Sequence, residues 1–288
     1  MLLELTADQQ SLRDTTARFL AQTVPVDRLR QLHKQPAGYD GDYWRQGAAL
    51  GWTSLLVSAE AGGGNVSGQP AVDATLLAYE FGRHSAPGPF LSSNLVAAAL
   101  DGERPRRHHD VLQGLLDGSV VASWCFVEPH QHDLGPAGIS FDITVDGGEV
   151  VLNGIKSPVE AGVRPCYLLV TGRSPDGPTQ VLVPPGVAGL TLTPMESVDL
   201  TRRFSSARFD QVRLPFDAVV GGPGDAGDQL ERQLRHALVL QSAESVGAMQ
   251  RAFDMTVQWA FDRYSFGRPL ASYQELKHRF ADMKTCLE

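Results

Sequence analysis

The chain has 288 residues, 42% apolar and 20% charged, a composition that fits a globular protein able to bury one large core or two to three small ones. Its net charge of −8 argues against a nucleic-acid partner, and its three scattered cysteines, Cys125, Cys166 and Cys286, suit reduced thiols rather than a disulfide framework. The sequence contains no apolar run of membrane-spanning length, and Met1-Leu2-Leu3-Glu4 lacks a basic stretch ahead of an apolar one. Neither a membrane span nor a signal peptide is expected, and the protein reads as cytoplasmic.

Thr6 with Gln9 makes a cap-like start, and Leu12, Phe19 and Leu20 give the helix that follows an apolar face to about Thr23, before Pro25 ends it. Residues 40–49 predict a second helix closed by Gly51, after which an apolar connection over 52–57 leads into Gly62-Gly63-Gly64-Asn65. That glycine triplet lacks the Lys-Ser/Thr pair and the clean preceding strand of a phosphate loop. Val72, Leu76, Leu77 and Tyr79 share one side of a helix that Gly82 is expected to end, and 87–100 and 111–116 read as two more.

At Asp117-Gly118 the period changes. Runs at 120–127, 139–145, 149–152, 166–170, 180–184, 190–194 and 207–214 lie between Gly, Pro and Asp signals and predict a small β barrel or sandwich. Beyond Pro223 the helical period returns, with Leu230, Leu234, Leu238, Val246, Met249, Phe253, Val257 and Phe261 on one face. A helix over 229–263 would be about 52 Å long and must pack in a bundle. Gly267 and Pro269 stop it. Ser272 and Glu275 then form a capping box for a last helix striped with Leu276, Phe280, Met283 and Leu287. The fold class is α+β: an N-terminal helical domain at 1–118, a middle β domain at 119–222, and the start of a C-terminal helical bundle at 223–288.

The series Arg263-Tyr264-Ser265-Phe266-Gly267-Arg268-Pro269-Leu270, then Tyr273-Gln274, then His278-x-x-Ala281-Asp282-Met283, resembles the acyl-CoA dehydrogenase family. The earlier order G-W, G-G, Y-E-F-G-R and A-P-x-P-F resembles that family's N-terminal helical domain, particularly an actinobacterial branch that acts on bulky thioesters such as sterol side chains. The resemblance covers the whole chain. It implies FAD as cofactor, an acyl-CoA substrate, and an electron-transfer flavoprotein or similar acceptor. It also implies a homo- or hetero-tetramer with a second acyl-CoA dehydrogenase-like subunit. In such an assembly Arg263 and Ser265 face the pyrophosphate of a flavin held by the neighbouring subunit, and Phe266, Tyr273 and Gln274 belong to the same cofactor-binding set. Arginine suits that role, since its planar fork stays charged and matches phosphate oxygens two at a time.

Trp124-Cys125-Phe126-Val127-Glu128-Pro129 resembles the family's flavin-facing strand and assigns Trp124, Phe126 and Val127 to the cofactor, although Val127 stands in place of a Thr hydroxyl. Leu152-Asn153-Gly154-Ile155-Lys156 matches the L-N-G-x-K turn. Pro158-Val159-Glu160 then replaces the Trp-Ile-Thr that lies against the flavin, and a carboxylate there is unfavourable beside a reduced, anionic ring. The helix segment that carries the base in some members falls on Arg235-His236-Ala237-Leu238, which offers no carboxylate; His236, Glu231 and Glu244 read as solvated helix-surface groups. No catalytic residue is therefore assigned. No metal site is assigned either, because His130-x-His132-Asp133 lacks a third spaced ligand.

Two functional readings follow from the resemblance. One is a self-sufficient dehydrogenase whose base lies in a C-terminal segment outside this sequence; the other is a non-catalytic partner subunit that completes a flavin site. A different flavin reaction on the same fold ranks below both. The apolar stripe is still running at Leu287 while the family continues with two or more helices, so either the bundle extends past Glu288 or a partner chain replaces the rest. Unfinished stripes of this kind predict association with another subunit.

Overall fold

A computed structural model describes residues 4–146, 148–160 and 166–288; residues 1–3 of the opening stretch considered for a signal peptide lie outside the described residues. Helices come first: α1 (Ala7–Thr23), α2 (Val26–Leu32), α3 (Gly41–Ala49), α4 (Pro70–His84), α5 (Phe90–Asp101) and α6 (His109–Leu116). The cap on α1 forms as expected, with Thr6 Oγ1 accepting from the Gln9 N–H at 3.2 Å and Gln9 Oε1 accepting from the Thr6 N–H at 3.1 Å. Pro25 follows the end of α1 and is also the N-cap of α2, a short helix that the apolar period did not announce. Between these helices lies an aromatic core. Trp52, fully buried, meets Phe81 edge-on at 4.8 Å, and Phe81 stacks on Phe90 at 4.5 Å.

Gly82 does not end α4, which continues to His84 and stops at Ser85 in the left-handed region with φ of 49°. The glycine is there for packing. The long helix α7 (Gly227–Asp262) crosses α4 so closely that a Cβ on Gly82 would lie 1.8 Å from the Glu244 carbonyl oxygen. One on Gly247 would lie 1.9 Å from the Tyr79 carbonyl oxygen. Backbone touches backbone in both directions, and only hydrogen fits.

The middle of the chain forms a mixed sheet from β1 (Ala122–Cys125), β2 (Asp142–Asp146), β3 (Glu149–Glu160), β4 (Tyr167–Ser174), β5 (Gly177–Val183), β6 (Leu190–Met195), β7 (Phe204–Pro215) and β8 (Val219–Val220). The spatial order is β6-β7-β3-β2-β4-β5-β8, and β1 pairs in parallel with β4. Ile143, Leu152, Val170, Val181, Phe209 and Val212 fill its core. The L-N-G-x-K segment, matched above to a turn, lies inside β3 instead, where register shifts at Leu152/Gly154 and Lys156/Val159 bulge the strand against β7.

The two ends of α7 differ. Leu230, Gln233, Leu240 and Gly247 are buried, but beyond Gly247 the only buried residue of this helix is Ala260. The face expected to be covered exposes 65% of Leu238, 53% of Met249 and 59% of Phe261. Past α4 the helix has beside it the 3-10 turn Leu270–Ser272 and α8 (Gln274–Leu287), which it meets through Phe253 and Phe280 at 6.4 Å, and α8 itself has no buried residue. Ser272 does not cap α8. It sits in the 3-10 turn Leu270–Ser272 and donates to the Pro269 carbonyl at 2.7 Å, leaving Tyr273 as an N-cap with no side-chain bond. Among the described residues no helix is long and apolar enough to cross a membrane.

Candidate functional site

After α7 the chain turns extended at Arg263 and folds into a two-stranded hairpin, β9 (Tyr264–Ser265) and β10 (Arg268–Pro269), with Arg268 opposite Ser265. The two loop residues, Phe266 and Gly267, both lie in the left-handed region with φ of 50° and 80°, the conformation a tight antiparallel hairpin favours. Glycine adopts it freely, whereas a side chain there costs about 1–2 kcal/mol. Phe266 carries that strain with its ring 98% exposed, so nothing inside this chain repays it. Strain of this kind concentrates at ligand and partner sites.

The hairpin is nonetheless well fixed. The Leu270 N–H donates to the Arg263 carbonyl at 2.8 Å, the Tyr273 hydroxyl donates to the Ser265 carbonyl at 2.8 Å, and the Arg268 guanidinium lies 3.9 Å above the Tyr273 ring. Tyr273 thus supports the hairpin from behind. The Arg263 guanidinium, the Ser265 hydroxyl and the exposed Gln274 amide have no side-chain partner among the described residues. A rigid frame therefore presents an unpaired fork of N–H donors, a hydroxyl and an open aromatic ring to whatever lies outside.

The strand expected to face the flavin is built differently. Trp124 and Phe126 stack at 4.8 Å, and Phe126, 3% exposed, packs with Ile139 and with Leu230 and Leu234 of α7. Trp124 Nε1 donates to Thr171 Oγ1 at 3.1 Å, which also accepts from Gln180 at 2.9 Å; Gln180 in turn donates to Gln233 on α7 at 2.7 Å. Val127 is half-buried, its carbonyl accepting from the Ser157 N–H at 2.9 Å. The space between β1 and α7 is taken up by these side chains.

Lys156 is the residue whose role the sequence hid. Its side chain is fully buried, and Nζ donates to Glu128 Oε1 at 2.8 Å and to the Phe126 carbonyl at 2.9 Å. Glu128 also accepts from the backbone N–H groups of Ser140 and Phe141 at 3.1 Å. Burial pushes the Glu128 carboxyl up, but the hydrogen bonds from Lys156 and Ser140 outweigh it and hold it below the usual carboxylate range; burial pulls Lys156 down. Its place in the L-N-G-x-K motif gave no sign of that burial.

Glu160 and Glu244, read as unconnected, converge on Arg202, and none of the three side chains is more than 17% exposed. His236 is half-buried rather than fully solvated, and burial, then the nearby Arg232 charge, lowers its pKa. His130 and His132 are exposed. FAD as implied by the resemblance thus fits this chain at one end: the hairpin offers what a pyrophosphate needs. At the other end an isoalloxazine ring would meet packed aromatics and the Glu160 carboxylate, which do not fit it.

Comparison with known proteins agrees with the fold. The profile of the acyl-CoA dehydrogenase N-terminal domain matches residues 6–102 and that of the C-terminal domain residues 226–288. Acyl-CoA dehydrogenase IpdE2 of Mycolicibacterium smegmatis is 26% identical over 281 residues, covering 97% of this chain and 73% of the relative. FadE12 of Mycobacterium tuberculosis is 27% identical, covering 95% of this chain and 72% of the relative. Among solved structures, a Tcur3481-Tcur3483 steroid ACAD variant superposes with a TM-score of 0.83 at 25% identity over 97% of this chain and 75% of that one. A glutaryl-coenzyme A dehydrogenase complex, at 19% identity and a TM-score of 0.91 over 100% of this chain and 75% of that one, shares the fold. With both terminal profiles matched around the same helical, β, helical order, the chain belongs to the acyl-CoA dehydrogenase family of FAD-dependent oxidoreductases.

Proposed function

We propose that this chain is one subunit of a cytoplasmic, FAD-dependent complex that introduces an α,β double bond into a bulky, sterol-derived acyl-CoA, and that its own part is to complete the phosphate end of a flavin site on another subunit. One observation carries the reading: the side chains of Arg263, Ser265 and Phe266 at the fixed hairpin, and of Gln274 at the start of α8, have no polar partner among the described residues, while the strand resembling the flavin's reactive face is packed against α7. The steroid ACAD among the similar solved structures supports the substrate class. The three parts proposed, 1–118, 119–222 and 223–288, place the hairpin in the last.

In this reaction a base takes the Cα proton and a hydride leaves Cβ. The flavin, when bound, supplies the hydride acceptor and passes electrons to an electron-transfer flavoprotein or a similar acceptor. This chain's residues bind and orient. Arg263 would donate two N–H groups to phosphate oxygens and Ser265 would add a hydroxyl, beside the exposed Phe266. The segment Arg235-His236-Ala237-Leu238 provides no carboxylate base.

The test is flavin retention in the assembled complex. Arg263→Ala is expected to weaken FAD binding by about 1.5–3 kcal/mol, roughly one to two decades, without moving the melting temperature of this chain. Arg263→Lys should recover only part of the loss, because an ammonium keeps the charge but not the fork. Unchanged FAD content with a lowered melting temperature would mean that Arg263 only closes its own helix end, and the proposal would be wrong.

A further inference from the structure

Three tryptophans lie in or at the edge of the interior, and two of them have an acceptor for the indole N–H: Trp52 donates to Thr16 Oγ1 at 3.4 Å and Trp124 to Thr171 Oγ1 at 3.1 Å. Trp44 on α3 has none. It is only 1% exposed, and its Nε1 has no hydrogen-bond partner among the described residues. A buried indole N–H ordinarily finds one, so this donor calls for an acceptor from outside the chain.

The surroundings of Trp44 supply the space. It forms part of the wall of a cavity of about 350 Å³ where three parts of the chain meet: α3 with the residue Tyr39 just before it, the connection 118–121 from α6 to β1, and the chain entering β4 at Cys166 and Tyr167. The indole is turned toward it. Cε3 and Cζ3 lie 3.1 and 3.2 Å from where a Cβ on Gly88 would be, while Cδ1, the neighbour of Nε1, lies 3.4 Å from where one on Gly118 would be, and Gly118 lines the cavity. The walls are fixed, since the Val120 N–H donates to the Gly114 carbonyl at 2.8 Å and the Tyr167 N–H to the Val121 carbonyl at 3.0 Å. A cleft between packed elements, largely apolar with a few convergent donors, is the usual setting of a small-molecule site.

Charge and shape narrow the ligand. Arg45 is the one charged side chain among the described residues that line the cavity; it pairs closely with Asp42, and its Nη1 lies beside Gly41, 3.7 Å from where a Cβ there would be. Burial pushes the Cys166 thiol up to about 11, so it stays neutral. Tyr39, Trp44 and Tyr167 supply flat aromatic surface. A guanidinium already shared with Asp42 balances one negative charge and not the two of a phosphate ester.

We infer that this cavity is a binding site for a small planar carboxylate, an aromatic acid of one or two rings, whose carboxylate accepts from the Trp44 indole and the Arg45 guanidinium while its ring lies against Tyr39 and Tyr167. The cavity shares no residue with the Arg263 hairpin, so this site is independent of the flavin reading.

The experiment uses the full chain labelled with nitrogen-15 at tryptophan, whose four indole signals come from Trp44, Trp52, Trp124 and Trp259. Cinnamate, 2-naphthoate and indole-3-acetate are titrated in turn, and Trp44→Phe identifies the Trp44 signal. At least one acid is expected to move that signal saturably while the Trp259 signal stays in place. Calorimetry with the same acid should show binding at least tenfold weaker to Arg45→Gln, and at least tenfold weaker for the corresponding primary amide, which keeps the shape without the charge. A Trp44 signal unmoved by all three acids at millimolar concentration overturns the inference. So does equal affinity for acid and amide, or for Arg45→Gln and the wild type. If Trp44→Phe does not fold, the calorimetric comparisons decide alone, because the Arg45 side chain is 55% exposed and its replacement leaves the core intact.

Discussion

The crossing of α4 with α7 and the hairpin that follows α7 are joined by a single helix, yet their side chains are satisfied in opposite ways. At the crossing, Gly82 and Gly247 let the two backbones touch, and the neighbouring charges Arg202, Glu244 and Glu160 are paired. At the hairpin, the charge on Arg263 is unpaired, Phe266 is strained and exposed, and the surrounding Trp259, Phe261 and Tyr264 each expose about 60% of their surface. The contrast teaches where each region's free energy is gained. The crossing and the sheet stabilise this chain through contacts within it, whereas the hairpin leaves much of its aromatic surface exposed.

The sharpest way to test that division is to injure the interior. Lys156→Met removes one partner of the fully buried Lys156–Glu128 pair and leaves Glu128 uncompensated, so unfolding free energy should fall by about 3–5 kcal/mol in a urea titration. A loss under about 1 kcal/mol would show that water reaches Glu128 and that the interior is less closed than the structure indicates. Gly247→Ala comes next. Its methyl group would sit on the Tyr79 carbonyl, and parting the helices should cost about 1–3 kcal/mol, whereas Gly267→Ala in the hairpin, with nothing within 4 Å of its Cβ, should cost only the left-handed strain. Equal losses at the two glycines would abolish the distinction between the regions.

Acid should act on the interior first. Glu128 and Glu103 are both held below the ordinary glutamate value of about 4.3: burial pushes each up, but hydrogen bonds from Lys156 to Glu128 and from His108 to Glu103, at 2.8 and 2.9 Å, outweigh it. A carboxyl depressed in the folded state contributes stability that is complete above its unfolded value and disappears as pH falls through its folded one. The melting temperature should therefore hold from neutral pH to about 5 and fall steeply below 4. A flat profile down to pH 3 would mean that neither carboxylate is bonded as described.

The division also explains what could be read from the sequence. The order of helices, strands and helices was legible because each element carries its own period, and the turn after α7 was legible from Gly267 and Pro269, although its two short strands were not. Gly82 misled as a helix stop because its reason lies in α7, 162 residues further on at the Glu244 carbonyl. Lys156, Arg202 and Glu244 were invisible as a group for the same reason: a charged residue looks solvated until its counter-ion arrives from another element. The expected cover on Leu238 and Met249 failed because a helical period shows an apolar face without showing which molecule covers it.

The smallest expected effect probes how the fixed region supports the open one. Tyr273 was grouped with the cofactor residues, but its hydroxyl reaches the Ser265 carbonyl and its ring lies under Arg268, so its contribution is to orient Ser265 and Arg263. Tyr273→Phe removes one hydrogen bond and keeps the ring, and so the contact with Arg268. A single neutral hydrogen bond is worth about 0.5–1.5 kcal/mol, so FAD affinity of the assembled complex should fall roughly two- to tenfold while the melting temperature of the chain barely changes. The reasoning depends on preorganisation: a hairpin that loses its anchor must order itself on binding, and that cost appears in affinity and not in the stability of the free chain. Arg268→Ala, which removes the cation above the ring, should give a similar loss, and the double variant should lose less than the sum if both act through the same anchor. Additive losses would instead make each residue a separate contact with the cofactor, and would return Tyr273 to the role its place in the motif first implied.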